Sequence, residues 1–363
     1  MKKAVILVGG EGTRLRPLTC NTVKSMVPVV NKPFLEHVIH YLRIHGVSNI
    51  VLALCYLPEC IRSYFGDGGQ FGVRLFYKIE NSPLGTAGAV KNAEEYLDEP
   101  FFVLNGDVFT DFDLTAMSDF HHQQGAEVTI ALTPVEDPTL YGIVETEATG
   151  RIKRFVEKPS WDEGTTNMIN AGIYILEPDI LKHIPKDTRF MFEHDVFPTL
   201  LRSGVPIFAY SNPAYWIDIG TPENYLQLNH DILRNESTTE LGMAARGGVA
   251  MGRECSIHPS AKIEGPVVMG ANCTIGQRAQ LRGPIVIGSN CKIGDDAILE
   301  GAILWQGVQL GPRVILKNCI VADNCHIGAN SRIEDYSVLS DDVMVTDSAR
   351  LEPGSRIWPG TKV

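Results

Sequence analysis

The chain predicts an α/β fold, a mostly parallel mixed sheet with helices, followed by a parallel β-helix. Three observations carry this reading. Short apolar runs alternate with amphipathic stretches in the first two hundred residues, as buried parallel strands alternate with crossover helices. Two of those runs end in glycine-bearing turns, Gly9-Gly10-Glu11-Gly12 and Asn105-Gly106-Asp107. From Ile257 onward an apolar residue recurs every sixth position, the period of a parallel β-helix.

The first strand is Ala4-Val5-Ile6-Leu7-Val8, and it runs directly into the glycines. Glycines after a strand let backbone N–H groups curl around an anion and approach it closely. Arg14, Arg16 and Lys24 follow and supply positive charge, which makes the stretch a design for holding a polyphosphate. It matches neither G-x-G-x-x-G nor G-x-x-x-x-G-K-[ST]. Apolar residues at Phe34, Leu35, Val38, Ile39 and Leu42 then have helical spacing, and Gly46 ends that helix. A second strand over 49–54, a helix around 59–65 and a strand over 73–77 complete a β-α-β-α-β alternation, which demands right-handed crossovers.

Pro83-Leu84-Gly85-Thr86-Ala87-Gly88 is a second glycine-bearing turn and opens a helix to about Tyr96. The run Phe101-Phe102-Val103-Leu104 ends at Asp107. In open α/β sheets ligands bind outside the carboxyl ends of strands, and the Gly9 loop, the Gly85 turn and Asp107 all fall at such ends. An acid after a strand also serves as a helix cap, the plain alternative for Asp107. Residues 127–175 read as mainly β, with Phe155-Val156-Glu157-Lys158-Pro159 closing one strand and Asn170-Ala171-Gly172 opening the next. Trp216-Ile217-Asp218-Ile219-Gly220-Thr221-Pro222 sets another acid beside a turn, and a helix over 226–233 ends the domain.

The sequence therefore divides into a first domain over 1–235, a linker over 236–252 and a β-helix over 253–363. The repeat anchors run from Ile257 through Ile263, Met269, Ile275, Leu281, Ile287, Ile293 and Leu299 to Trp305. The phase slips by one at Leu310 and Leu316 and again at Val321, then holds to Ile357. Stacked coils bury what no single coil can. Some such helices transfer acyl groups, which needs a histidine base and a cleft. His258 and His326 are candidates, but no long loop interrupts the repeats to form one.

Net charge is −11, so a general nucleic-acid-binding surface is excluded and attraction for an anion must be local. No window approaches the ~20 apolar residues of a membrane span. Met1-Lys2-Lys3 precedes only a short apolar run, too short for a signal peptide, so the expected location is cytoplasmic. The eight scattered cysteines, with no C-x-x-C pair, read as reduced and mostly buried.

Taken together, the stretch 7–18, Pro83-Leu84-Gly85-Thr86-Ala87-Gly88, Leu104-Asn105-Gly106-Asp107, Phe155-Val156-Glu157-Lys158-Pro159, Asn170-Ala171-Gly172 and Trp216-Ile217-Asp218-Ile219-Gly220 resemble one family in order and spacing. It is the sugar-1-phosphate nucleotidyltransferases, and within it the mannose-1-phosphate guanylyltransferases. The resemblance implies a Rossmann-like first domain and a left-handed β-helix. It also implies a reaction, in which a nucleoside triphosphate and a sugar 1-phosphate give a nucleotide sugar and pyrophosphate.

By resemblance, Leu7, Gly9, Gly10, Gly12, Thr13, Pro83, Gly85 and Thr86 bind the nucleotide, and Arg14, Lys24 and Asp107 are catalytic. Asp107 and Asp218 hold Mg²⁺, a hard cation suited to carboxylate and phosphate oxygens. Lys158 grips the sugar phosphate, while Gly142, Glu157 and Asn170 address the sugar. The family flanks its loop lysine with prolines; here the stretch is Thr22-Val23-Lys24-Ser25-Met26, which predicts a looser backbone around Lys24. Glu80 lies where the family reads the base edge. A carboxylate suits the adjacent N1–H and N2–H₂ donors of guanine, which favours GTP. The alternatives are a thymidylyl- or uridylyltransferase acting on glucose 1-phosphate, and a non-catalytic subunit that senses sugar nucleotides. Association of copies through the β-helix is expected, giving a homo-oligomer.

Overall fold

The computed structural model describes residues 1–157, 166–234 and 248–363. Internal contacts divide the chain into two compact units that interleave in sequence. One comprises Met1–Gly10 and Leu35–Trp216, the other Glu11–Phe34 and Ile217–Val363.

The first unit is built on a sheet with nine strands among the described residues. Its parallel core runs Phe101–Asn105, Lys3–Val8, Asn49–Leu54, Arg74–Ile79 in spatial order. The chain thus lays down three strands outward from Lys3–Val8 and then returns to the opposite side of that strand. The reversal creates a switch point between Lys3–Val8 and Phe101–Asn105, and open α/β sheets bind ligands at the carboxyl ends of the strands at such a point. Met168–Leu176 then runs antiparallel to Phe101–Asn105, and Val128–Pro134 and Gly142–Thr146 run antiparallel to Met168–Leu176. The expected strands and alternation are present. Helices α1 (Phe34–Ile44), α2 (Pro58–Phe65) and α3 (Gly85–Asn92) lie where the sequence places helices, and α4 (Leu114–Gln124) and α5 (Phe197–Arg202) are two that it does not signal. The helix expected to reach Tyr96 stops at Asn92 and gives way to a single 3₁₀ turn, Glu94–Tyr96. One core face of the sheet packs Val5, Val51, Val103, Ile130 and Tyr174 against Val90, Phe192 and Phe197, all fully buried or nearly so.

The second unit contains α6 (Pro222–Arg234) and the β-helix. Three parallel sheets stack the coils, one of them ordered Val249–Met251, Val267–Met269, Ile285–Ile287, Ile303–Leu304, Ile320–Val321, Val338–Leu339, Arg356–Ile357. The first of these strands lies inside the stretch 236–252 expected as linker; residues 235–247 of that stretch lie outside the described residues. Corners are turned by residues with positive φ, chiefly Asn and Asp, such as Asn272, Asn290, Asp296, Asn324, Asn330 and Asp342. Short polar side chains tolerate that conformation best among non-glycines.

The inward column differs from the sequence expectation at one place. Ile287 pairs with Leu304, and Leu304 with Val321, so Leu304 and not Trp305 occupies the core. The phase slip falls one turn of the repeat earlier than the spacing suggests, and Trp305 is rotated onto the corner. All eight cysteines are free; Cys273, Cys291, Cys319 and Cys325 are buried in the β-helix and Cys60 is exposed. No helix among the described residues is long and apolar enough to cross a membrane.

Candidate active site

In the first unit the switch-point loops are tied together by backbone. The Gly106 N–H donates to the Leu7 carbonyl at 3.0 Å, and a Cβ on Gly106 would sit 2.4 Å from that oxygen. Only glycine permits this approach, which sets half-buried Asp107 beside the end of the first strand. Gly9 and Gly10 differ in kind. A Cβ on Gly10 meets nothing within 4 Å, and one on Gly9 meets the Cys55 Cβ at an ordinary 3.5 Å and Glu80 Oε1 at 3.9 Å. Neither backbone is left-handed. Packing therefore does not require glycine at either place.

Glu80 is buried, and its Oε2 accepts the Leu84 N–H at 2.8 Å. Burial pushes its carboxyl above the usual range, partly offset by that hydrogen bond. Its other oxygen, Oε1, faces the Gly9 backbone, 3.9 Å from where a Cβ would stand. Glu80 thus both braces the Pro83-Leu84-Gly85 turn and presents a carboxylate oxygen toward the glycine loop. The glycine at 85 has a packing reason as well: φ is +73°, and a Cβ would lie 2.7 Å from the Phe190 carbonyl oxygen.

Thr86 and Asn170 are brought into one network by a residue the sequence reading does not name. Thr86 Oγ1 donates to Glu193 Oε2 at 2.9 Å and accepts the Phe192 N–H at 2.9 Å. The Tyr174 hydroxyl donates to Glu193 Oε1 at 3.3 Å and accepts from Asn170 Nδ2 at 2.8 Å. Asn170 Oδ1 accepts the Gly172 N–H at 3.0 Å. Burial, then the Glu193 charge, pushes the Tyr174 hydroxyl well up, so it stays a neutral donor. Glu193 sits in a π-type turn, Phe192–Val196, and no local motif signals it. Gly142 leaves room for Glu157, since a Cβ there would meet Glu157 Oε2 at 2.6 Å. Lys158 lies outside the described residues.

The second unit holds the remaining charged residues. Gly12 is left-handed at φ +64°, and a Cβ on it would press on the Lys24 Cβ at 3.0 Å. A 3₁₀ turn, Thr13–Leu15, follows and carries Arg14 outward. A second turn, Lys24–Met26, holds Lys24. Asp218 is the hub: its Oδ1 accepts from Lys24 Nζ at 3.3 Å and from the Gly220 N–H at 2.6 Å, and its Oδ2 accepts from Arg14 at 3.1 Å. Lys24 and Asp218 side chains are 10% and 9% exposed, so this is a buried ion pair, whereas Arg14 is 59% exposed. Gly220 lacks a Cβ that would fall 2.6 Å from the Arg14 guanidinium. Despite the missing prolines, Lys24 is thus fixed by a turn, by burial and by Asp218.

The family described as Nucleotidyl transferase matches residues 3–235. The chain belongs to the nucleotidyl transferase family. A second match, to the EIF2B subunit epsilon LbH domain, covers residues 246–351 of this nucleotidyl transferase, in agreement with a left-handed β-helix. Among curated relatives, mannose-1-phosphate guanylyltransferase of Mycobacterium tuberculosis is 36% identical over 282 residues, covering 72% of this chain and 78% of that one. Mannose-1-phosphate guanylyltransferase 1 of Arabidopsis thaliana is 41% identical over 281 residues, covering 72% and 76%. UTP–glucose-1-phosphate uridylyltransferase of Synechocystis is 38% identical over 266 residues, covering 69% of each. A crystal structure of HddC from Yersinia pseudotuberculosis, complexed with GMP-PN, aligns with a TM-score of 0.55 at 34% identity. It covers 63% of the nucleotidyl transferase and 98% of HddC.

Asp107 in the first unit and Asp218 in the second each offer carboxylate oxygens, the donor type that a hard divalent cation takes. Among the described residues no group of three or more His, Cys, Asp and Glu side chains forms a ready-made cage.

Proposed function

We propose that this nucleotidyl transferase transfers a guanylyl group from GTP to mannose 1-phosphate, giving GDP-mannose and pyrophosphate. A phosphate oxygen of the sugar phosphate forms a bond to the α-phosphorus, and the bond from that phosphorus to the β-bridging oxygen breaks in line. The observation that carries the reading is the Arg14–Asp218–Lys24 cluster of the second unit, two cations gathered on one buried carboxylate.

Two polyanions must meet in a chain of net charge −11, so catalysis is charge neutralisation and alignment. Gly9, Gly10, Gly12 and Thr13 donate backbone N–H groups to the triphosphate. Arg14, exposed, neutralises the departing pyrophosphate, and Lys24 contacts phosphate during transfer. Both cations are held by Asp218 in the ligand-free chain, and phosphate competes with that carboxylate for them. Asp107 and Asp218 would hold Mg²⁺, which supplies Lewis-acid polarisation of phosphate oxygens when bound. Gly142, Glu157, Lys158 and Asn170 address the sugar phosphate. The guanine preference rests on the Glu80 carboxylate, on the guanylyltransferase relatives and on the GMP-PN complex of the HddC structure. The enzyme is expected to be cytoplasmic and to associate as a homo-oligomer through the β-helix.

Pyrophosphate release by the purified chain with Mg²⁺, across GTP, ATP, UTP, CTP and dTTP and across sugar 1-phosphates, tests this. Highest kcat/KM for GTP with mannose 1-phosphate is expected. The Synechocystis relative motivates one competing outcome, preference for UTP and glucose 1-phosphate, which would overturn the base assignment. No release with any pair would favour a sensing subunit.

A further inference from the structure

The segment that carries Arg14 and Lys24 belongs to the same compact unit as the β-helix, and one corner row of the β-helix holds it. That row is the residue after each inward anchor of the seven-stranded sheet: Gly252, Gly270, Gly288, Trp305, Ala322, Ser340 and Trp358. Trp358 lies exposed in the last coil. Of the others, only Trp305 and Ser340 carry a polar side-chain atom; Ser340 spends it on this segment directly and Trp305 reaches the segment through Tyr225 of α6. Ser340, fully buried, donates its hydroxyl to the Pro17 carbonyl at 2.8 Å. Trp305 Nε1–H donates to the Tyr225 hydroxyl at 2.9 Å, and that hydroxyl donates to the Pro28 carbonyl.

Lys24 lies between these two fixed carbonyls in sequence. Neighbouring contacts reinforce each end. Asn21 Nδ2 donates to Asp341 Oδ2 at 3.0 Å, and Asn31 Nδ2 donates to the Ile287 carbonyl at 2.8 Å. Asn229 of α6 accepts the Val30 N–H at 2.8 Å. The stretch Thr22-Val23-Lys24-Ser25-Met26 has no ring to restrict its backbone, so its constraint comes from outside.

We propose that Ser340 and Trp305 are positioning residues for nucleotidyl transfer: the β-helix corner clamps residues 17–28 and so fixes where Lys24 and Arg14 meet phosphate. The proposal rests on the nucleotidyl transfer reading but not on its choice of base and sugar. It gives the β-helix a part in the reaction without any reacting group of its own, and it explains why the repeat slips phase at Leu304: the slip turns Trp305 out onto the corner.

The test compares Ser340→Ala with Ser331→Ala. Ser331 is also fully buried and donates to a coil carbonyl, that of Thr346, at 2.8 Å, with no tie to residues 11–34. Ala322 already occupies Ser340's place one coil earlier, so the coil accepts alanine there. Both variants lose one buried hydrogen bond and are expected to lose similar melting temperature. Only Ser340→Ala, and Trp305→Phe with it, should lower kcat, by about tenfold, the equivalent of ~1.4 kcal/mol of alignment, with KM little changed. Hydrogen exchange of the Cys20 amide, which donates to the Pro17 carbonyl, and of the Met26 and Val27 amides, which close the turn at Lys24, should accelerate in Ser340→Ala and not in Ser331→Ala. Equal kcat and equal exchange in the two serine variants would overturn the clamp. If the wild type releases no pyrophosphate with any substrate pair, the reaction assignment fails, and the exchange comparison alone still decides whether Ser340 holds the loop.

Discussion

Gly10→Ala isolates the phosphate cradle from the fold. The added Cβ meets no atom within 4 Å, and the backbone at this position is not left-handed, so the folded chain accepts alanine without strain. The smaller unfolded-state entropy of alanine should even stabilise the chain by about 0.4–1 kcal/mol. What alanine removes is close approach to the main chain. A backbone N–H donating to a charged phosphate is worth about 1.5–3 kcal/mol, so kcat/KM for the triphosphate should fall about 10- to 100-fold. Gly12→Ala is the contrast. There φ is +64° and the Cβ would press on the Lys24 Cβ at 3.0 Å, so about 1–2 kcal/mol of conformational cost adds to the crowding. Thermal unfolding and pyrophosphate release are measured on both. Gly10→Ala should keep or raise the melting temperature while losing activity; Gly12→Ala should lose both. Wild-type kcat/KM in Gly10→Ala, or a melting temperature as low as that of Gly12→Ala, would refute the reasoning that the open space is a ligand's.

Other outcomes follow from particular contacts. Glu80→Gln keeps an acceptor for the Leu84 N–H and so should fold normally, but it loses the carboxylate; discrimination for GTP over UTP should drop about 10-fold or more in competition assays. Asp218→Ala removes the carboxylate that pairs with the buried Lys24 ammonium and should cost about 3–5 kcal/mol in urea unfolding; Lys24→Met in the same chain should recover much of that, and no recovery would count against a buried pair. His121 is buried and neutral, its pKa lowered to about 4 by burial, and its contact with Glu177 at 3.3 Å is a hydrogen bond rather than an ion pair. The unfolded chain binds that proton near pH 6.5 and the folded chain only near 4, so stability should fall as pH drops through this window. His121→Gln should flatten that limb of a melting-temperature profile, and an unchanged limb would mean the imidazole is not held neutral.

Strand and helix order was legible because burial imposes period on local sequence. Residues 4–8 and 50–54 are apolar throughout since both faces of the sheet are covered. The glycine turns were legible for the opposite reason, a demand for missing side chains, although at Gly85 and Gly106 it is close packing that makes the demand. Glu193 was not legible. Its partners Thr86 and Tyr174 lie far off in sequence, and an acid in an irregular turn looks like any surface acid. Trp305 was misread as a core anchor because hydrophobicity marks burial and does not say against what. It is buried, yet on the corner and not in the column.

The same limit governs the domain boundary. A break in composition near residue 235 suggests a catalytic piece and a scaffold that could be separated. Yet in the second unit Asn31, Pro17, Tyr225 and His230 hydrogen-bond respectively to Ile287, Ser340, Trp305 and Gly301. Cutting the chain after residue 234 would remove all four partners at once. It would also bare Tyr225 and its neighbours in α6, which are buried only because other parts of this unit cover them. The net worth of each lost bond is about 0.5–1.5 kcal/mol, so the four together come to about 2–6 kcal/mol, a large part of the ~5–15 kcal/mol margin of a typical domain at its lower end. A truncated chain should therefore be poorly stable and less active than Ser340→Ala, which loses one bond and keeps the rest. If instead the truncated chain folds and turns over like the whole, the corner contacts are incidental and the β-helix is only a scaffold.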